Sequence, residues 1–324
     1  MTAVAITLLL LLGPGPVVPG PAVPVASPSG SRSAKEPPGS RLEEATEETN
    51  DLAALWREAC LWEVGSNSEK VPAARRKLIE QGDRALEFLI PSKLETKDTL
   101  VTRALRVVLT GIGERAVPRL LPCLESDKPD VRRNAADLLG ALGAASAAPA
   151  IAKLLADPDA RLGALAALGE LKTTEPVPQI AALMDSDAPE RVRYTAAATL
   201  GALGGPLAER ALARTLASPS APLRYAAQFA LEQTKAVETL IAALGDSDAR
   251  AKLHAIAALG HIANPAAREP LRPLLDDPAP VVRGFAAEAL GAMLDPATRS
   301  LLEARLATET DPFARGKLSS ALGR

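Results

Sequence analysis

Seven cations recur along the chain about every 30 residues, a spacing that would place them along one edge of a repeating fold. They are Arg132, Arg161, Arg193, Arg224, Lys252, Arg283 and Arg315. Such a cation ladder can bind a polyanion. Each cation also follows a turn segment with Asp or Ser, and Arg can bridge neighbouring turns through charge-assisted hydrogen bonds. We therefore predict that the cation ladder is structural.

Aromatic residues accompany two of these cations. Each tyrosine of the chain directly follows a ladder arginine, and a phenylalanine comes one helical turn after the second tyrosine. Tyr and Arg are enriched at binding hot spots. One hypothesis is a partner-binding patch made of Tyr194, Tyr225, Phe229, Arg193 and Arg224. The other is that the rings fill gaps between alanine-rich helices.

Residue types that usually carry catalysis or bind metals are scarce. The two histidines, His254 and His261, are about two helical turns apart, which is too far for a joint metal site without other ligands. We expect His254 to be a surface or lining residue. Cys60 and Cys123 form no CxxC pair and are expected to be free, partly buried thiols. No nucleotide-binding or nucleophile motif occurs, so we predict no catalytic residues, no metal and no cofactor.

The composition narrows the classes of fold and partner. Among the 324 residues, 47% are hydrophobic but only 2% are aromatic, so Ala, Leu and Val dominate the apolar content. Small and unbranched side chains favour closely packed helices. The net charge of −2 provides no basic field. We therefore expect no nucleic-acid partner.

The ladder cations keep their place in a repeat that centres on a recurring leucine, which we call the anchor leucine. The anchors are Leu109, Leu139, Leu168, Leu200, Leu231, Leu259, Leu290 and Leu322. Each ladder cation stands seven positions before an anchor. Gly follows most anchors and is predicted to suit a helix C-terminus, whereas Glu232 follows Leu231.

Each unit resolves into two predicted helices joined by a turn rich in Asp, Ser and Pro. Helix A comes first and begins near a proline, as at Pro118, Pro149 and Pro178, where a missing N–H costs little. Helix B contains the ladder cation and the anchor, and Asp or Ser is expected as its N-cap. One unit cannot bury its apolar face alone, so neighbouring units must stack.

This pattern resembles the HEAT-like repeats of phycobilisome (PBS) lyases. The matching motifs are A-[VA]-P-x-[LI] in helix A and D-x-x-[VL]-R-x-x-A-A-x-x-L-G in helix B, as in residues 127–140 and 276–291. The resemblance implies an all-α fold, a right-handed α-solenoid of about eight two-helix HEAT-like repeats over residues 83–324, with helix B on the concave face. Iron hydroxylases of this type use repeated His-Glu pairs, which do not occur here, so that activity is not carried over.

Two further regions precede the repeats. Residues 42–82 are predicted to form a helical cap, with helices at about 42–64 and 71–81. Trp56 and Trp62 are expected to cover the exposed end of the first repeat. Residues 27–41 are rich in Pro, Gly and Ser, which is typical of a disordered linker.

Residues 1–26 are interpreted as a signal peptide. The apolar run at residues 3–12 fits a signal sequence and is too short to span a bilayer. No basic residue precedes it, so the signal peptide would be atypical. We expect export to the periplasm or another extracytoplasmic compartment. An uncleaved segment that anchors the protein to a membrane and a cytoplasmic location are the alternatives.

The primary functional hypothesis is a non-catalytic scaffold or adaptor, expected to be monomeric, that grips a protein or peptide along its concave face. The alternative is a lyase-like enzyme or a cofactor-handling accessory protein, because PBS lyases handle a chromophore. A spacer without a dedicated site is a third reading. Nothing in the sequence names the partner.

Overall fold

The computed structural model describes the backbone of residues 41–323 and the side chains of residues 50–323. The chain divides into two units, Met1–Ala45 and Thr46–Arg324, and apart from residues 41–45 the features below belong to the second unit. The predicted signal peptide lies outside the described residues. So does the linker, except for Arg41, which is the first residue of helix α1.

The described residues form an all-α fold without strands. The helices are α1 (Arg41–Ala59), α2 (Lys70–Glu80), α3 (Asp83–Leu89), α4 (Thr99–Ile112), α5 (Val117–Leu120), α6 (Pro129–Ala141), α7 (Ala148–Lys153), α8 (Arg161–Leu171), α9 (Val177–Met184), α10 (Glu190–Leu203), α11 (Gly205–Thr215), α12 (Ala221–Thr234), α13 (Val237–Ala243), α14 (Ala249–Ile262), α15 (Arg268–Leu271), α16 (Pro280–Gly291), α17 (Pro296–Thr308) and α18 (Pro312–Ala321).

Helices α3 to α18 form eight consecutive pairs, each with a helix A followed by a helix B. The odd-numbered helices from α3 are helices A, and the even-numbered helices from α4 are helices B. All eight anchor leucines are buried in one continuous apolar core. The stacking predicted from the repeat is therefore confirmed, and the fold is an all-α solenoid.

Helix A is short where proline interrupts it. Pro118, Pro149 and Pro178 lie in the first turn of their helices, as predicted. A further proline lies in the 3₁₀ segment that continues α5 and in the one that continues α15. These prolines are Pro122 and Pro273. Proline cannot donate the backbone hydrogen bond that an α-helical interior needs.

The glycines that follow the anchors allow neighbouring helices B to touch. A Cβ added at Gly140 would lie 2.7 Å from Cα of Ala167, and one added at Gly201 would lie 2.9 Å from Cβ of Ala230. Gly140 and Gly201 are helical residues in the last turns of α6 and α10, where they permit close packing. Gly323 lies just beyond α18 with a φ of 74°, which fits the predicted helix C-terminus. Successive helices B lie in closer contact than successive helices A, so the stack curves towards the helices B and they line its inner, concave side.

Side-chain N-caps appear in only part of the repeats. Asp98, Ser220, Asp248 and Asp311 cap α4, α12, α14 and α18. The other four helices B begin without a side-chain cap. In every repeat, however, the side-chain oxygen of one turn residue accepts a hydrogen bond from the backbone N–H two positions later. These turn residues are Thr96, Ser126, Asp157, Ser186, Ser218, Asp246, Asp277 and Glu309.

The region before the repeats differs from its prediction in two ways. Helix α1 ends at Ala59, five residues earlier than expected. Trp56 is buried in the core with 8% exposure, whereas Trp62 is 62% exposed in the segment after the helix. Only Trp56 therefore covers apolar surface, because the early end of α1 leaves Trp62 facing solvent.

Candidate binding groove on the helices B

The cation ladder links successive repeats. Three ladder cations bind a carboxylate of the following turn. The pairs are Arg132–Asp157, Lys252–Asp277 and Arg283–Glu309, with shortest N···O distances of 2.7, 3.5 and 2.8 Å. Glu309 is buried and also binds Arg305, and the hydrogen bond from Arg283, ahead of the other contacts, lowers its pKa to about 2.

Most ladder arginines also donate a hydrogen bond back to their own turn. The acceptor is a backbone carbonyl six positions earlier. The pairs are Arg132–Ser126, Arg161–Leu155, Arg224–Ser218, Arg283–Asp277 and Arg315–Glu309. Arg193 departs from the pattern, since its Nε atom is buried and finds no hydrogen-bond partner among the described residues.

The three aromatic residues of the predicted patch differ in exposure. Tyr194 is half-buried against the core, and its hydroxyl donates a 2.8 Å hydrogen bond to Glu190 Oε1 on the same helix. Tyr225 is 63% exposed and Phe229 is 49% exposed, one turn apart on α12. The exposed aromatic surface therefore consists of Tyr225 and Phe229, with Arg224 beside Tyr225 in the sequence.

A groove with a volume of about 520 Å³ begins at Tyr225 and crosses α12, α14, α16 and α18. Its lining includes Tyr225, Gln228, Leu253, His254, Ala257, Gly260, His261, Phe285, Glu288 and Lys317. The groove adjoins the junction between α12 and α14, where Glu232 replaces the glycine that follows most anchors. These two helices pack less closely than the helix B pairs on either side, because a glutamate side chain needs room that glycine does not.

A chain of hydrogen bonds spans the α12–α14 junction. Arg224 Nε lies 3.2 Å from His254 Nε2, and His254 Nδ1 lies 2.6 Å from Gln228 Oε1. Gln228 donates to Glu232 Oε1, which also lies 2.8 Å from His261 Nδ1. Since the Arg224 N–H can only donate, His254 accepts at Nε2 and carries its proton on Nδ1. Burial, followed by the positive charge of Arg224, lowers the pKa of His254 and favours this neutral form.

Aromatic and charged contacts complete the groove at its two ends. The Tyr225 and His254 rings meet edge to face, with centroids 4.9 Å apart. On the other side, Lys317 Nζ lies 5.1 Å from the Phe285 ring centroid and 2.7 Å from Glu288 Oε2. The groove thus offers apolar rings between polar groups that are mostly paired with one another.

The inner side of the first repeats is closed by ion pairs. Arg106 on α4 binds Asp137 on α6 at 3.1 Å and Glu170 on α8 at 2.7 Å. Burial raises the pKa of Asp137, and the positive charge of Arg106 opposes that shift. Arg106 therefore pairs the acidic side chains of α6 and α8 with α4, whereas α12 exposes Tyr225 and Phe229.

His254 lines the groove, as the sequence analysis expected for a surface or lining residue, whereas Phe285 and Lys317 were missed. All three residues stand five positions before an anchor. Earlier repeats hold mainly small or polar residues at this repeat position, such as Gly163 and Ala226. The change to larger side chains in the last three repeats is a sequence signal for the groove. Glu232 is a second sequence signal, because it stands where glycine follows most anchors.

The two cysteines stand apart from the groove as free thiols. Cys60 and Cys123 are both free, and burial raises the pKa of each thiol, to about 11 for Cys60. Within residues 50–323, no group of three or more His, Cys, Asp or Glu side chains is arranged to hold a metal ion. None of the described helices is both long and apolar enough to cross a bilayer.

The stacked helix pairs place the protein in the class of α-solenoid repeat proteins. The chain belongs to the HEAT repeat family, since the model of HEAT repeats matches residues 86–162, 152–232 and 237–323. A comparison with curated proteins gives no match.

Several solved structures are similar to this chain. A mutant of the karyopherin Kap121p is 13% identical with a TM-score of 0.50, and the match covers 86% of this chain and 42% of Kap121p. Human deoxyhypusine hydroxylase is 22% identical over 77% of this chain and 98% of its own, with a TM-score of 0.31. The CpcE–CpcF complex of phycocyanin lyase from a Nostoc species is 24% identical over 74% and 93%, with a TM-score of 0.38. The karyopherin match supports the solenoid fold.

Proposed function

We propose that this protein is a non-catalytic scaffold or adaptor that binds a protein or peptide segment on its inner face, at the groove between α12 and α18. The observation that carries the proposal is the exposure of Tyr225, which lines that groove, and of Phe229 one helical turn along α12. A large aromatic side chain that faces solvent on a concave surface has few structural reasons to be there, and such residues dominate binding energy at interfaces.

The proposal is tested by quantitative pull-down from native extract. The double variant Tyr225→Ala/Phe229→Ala is compared with wild type and with Leu207→Ala, which removes an equally exposed apolar side chain from a helix A. We expect the double variant to retain about a tenth or less of a bound partner, whereas Leu207→Ala retains it fully. Circular dichroism checks that all three proteins are folded. Equal capture by all three would contradict the proposal.

The volume of the groove supports a second candidate function. About 520 Å³ lies within the range of about 300–1,000 Å³ typical of small-molecule sites. A cofactor-handling accessory protein or a lyase-like enzyme of the PBS-lyase type would use the same rings to hold a planar ligand. Native mass spectrometry and the absorption spectrum of the purified protein distinguish the two functions, because a retained chromophore would add mass and visible absorbance.

A further inference from the structure

Arg193 lacks both kinds of partner found along the ladder, a backbone carbonyl of its own turn and a carboxylate of the next turn. Arg193 donates no hydrogen bond to a carbonyl of its own turn, because one more residue separates it from its turn residue, Ser186, than in most repeats. The following repeat offers Ser218, whereas four other repeats offer Asp or Glu at this turn position. Arg193 is half-buried, and its Nε has no acceptor among the described residues.

The neighbouring repeats show which group is missing. Arg132 Nε lies 2.7 Å from the Asp157 carboxylate, and Arg283 binds the Glu309 carboxylate through two nitrogens at 2.8 Å. In both cases the carboxylate belongs to the turn residue of the next repeat. A hydroxyl at Ser218 carries no charge, and its oxygen already accepts from the backbone N–H of Ser220. A partly buried guanidinium whose Nε has no acceptor is unfavourable.

Arg161 shows that the serine alone does not create the gap. Its next-repeat turn residue is also a serine, Ser186. However, Arg161 Nε donates to the Leu155 carbonyl at 2.6 Å, and a terminal nitrogen reaches the Ala156 carbonyl. Arg161 is therefore satisfied by its own turn, which makes it a matched reference for Arg193.

We propose that Arg193 binds a carboxylate of the bound peptide, in place of the Asp or Glu that neighbouring repeats supply from within the chain. This inference rests on the proposed function and adds the chemistry of the partner: a segment with an Asp or Glu beside an apolar side chain. The carboxylate meets Arg193 on α10, and the apolar side chain meets Tyr225 one helix B further on. Because the neighbouring Arg224 is occupied by carbonyl oxygens and His254, Arg193 is the cation free to receive the acid.

The first test fills the gap from within the protein. Ser218→Asp places a carboxylate where Asp157 and Asp277 stand in their repeats, and Asp in that place keeps the turn hydrogen bond. We expect Ser218→Asp to raise the midpoint of thermal unfolding relative to wild type. Ser186→Asp, the matched control beside the satisfied Arg161, should raise it less. A lower midpoint for Ser218→Asp than for Ser186→Asp would overturn the proposed geometry.

The second test uses peptides as probes. Random linear peptides are selected by display on the full chain, and the best binder is synthesised together with a version in which Asp or Glu is replaced by Asn or Gln. We expect wild type and Ser186→Asp to bind the acidic peptide about tenfold more tightly than its amide version. Ser218→Asp and Arg193→Gln should lose this preference while still binding the amide version.

The outcomes separate the two proposals. Selected peptides that depend on Tyr225 but show no preference for Asp or Glu would overturn the role of Arg193 and leave the proposed function standing. Peptides that bind equally well to the Tyr225→Ala variant would contradict the proposed function itself. A preference for acid that survives in Ser218→Asp would also overturn the inference, since the arginine would then already be neutralised.

Discussion

At the residue scale, His254 is held neutral inside the groove by what surrounds it. Its Nε2 accepts from Arg224, and burial together with that positive charge lowers its pKa below the ordinary 6.5. Protonation would put a second cation against the guanidinium and replace an acceptor with a donor. The hydrogen bond from Arg224 on α12 to His254 on α14 therefore exists only while the imidazole is neutral.

This arrangement predicts a pH dependence of stability. Because the pKa of His254 is lower in the folded state, the unfolded chain binds the proton more readily. The stabilisation is complete above the ordinary pKa of 6.5 and is lost as the pH falls through and below it. Denaturant unfolding between pH 8 and pH 5, values chosen to bracket that pKa, should show a steeper loss of unfolding free energy in wild type than in His254→Gln. Equal slopes would contradict this role of His254.

Single residues were the least predictable part of the site. Tyr225 and Phe229 could be found because rare aromatic residues stood at one-turn spacing on a predicted helix. Tyr194 looked equivalent in sequence, but its half-buried ring and its bond to Glu190 depend on how α10 packs. His254 and Phe285 belong to different repeats, and only the stack brings them to one groove.

At the element scale, contact between helices B is controlled by whether a Cβ has space. A Cβ at Gly140 would meet backbone of the next helix B at 2.7 Å, whereas one at Gly169 would lie 3.6 Å from Thr199 Cγ2, an ordinary contact. The same residue type at the same repeat position therefore has two different environments.

The matched pair Gly140→Ala and Gly169→Ala tests this difference. Gly140→Ala should lower the free energy of unfolding by about 1–3 kcal/mol, because helices α6 and α8 must separate. Gly169→Ala should raise it by up to about 1 kcal/mol, because alanine favours the helix and nothing obstructs it. Denaturant unfolding measures both. A similar loss of stability in the two variants would show that helix separation is not the cause.

Helix pairs and their order were predictable from the sequence, because the anchor leucines and the proline-rich turns repeat at nearly constant spacing. The residues at which the helices begin and end were less predictable. The segment after Ala59 carries apolar residues but no longer forms a helix, and several helices B begin without the predicted cap. These ends depend on local hydrogen bonds that the periodic pattern does not specify.

At the scale of the whole molecule, each repeat contacts mainly its neighbours, so stability should be local. Glu309→Gln removes a buried carboxylate from Arg283 and Arg305, at a cost of about 2 kcal/mol. We expect amide hydrogen exchange to become faster in α16 to α18 and to stay unchanged in α4 to α8. Mass spectrometry of exchanged peptides measures this, and a uniform increase along the chain would instead indicate a single cooperative unit.

The glycine contacts also bear on how such a chain can evolve. In four junctions, the glycine after one anchor meets the alanine before the next, as Gly140 meets Ala167 and Gly291 meets Ala321. A duplicated repeat carries both the glycine and the alanine of this contact. Such a repeat can therefore stack on another copy without a further substitution. The junction that contains Glu232 lacks that interchangeability, because a copy inserted there would meet a glutamate in place of the glycine.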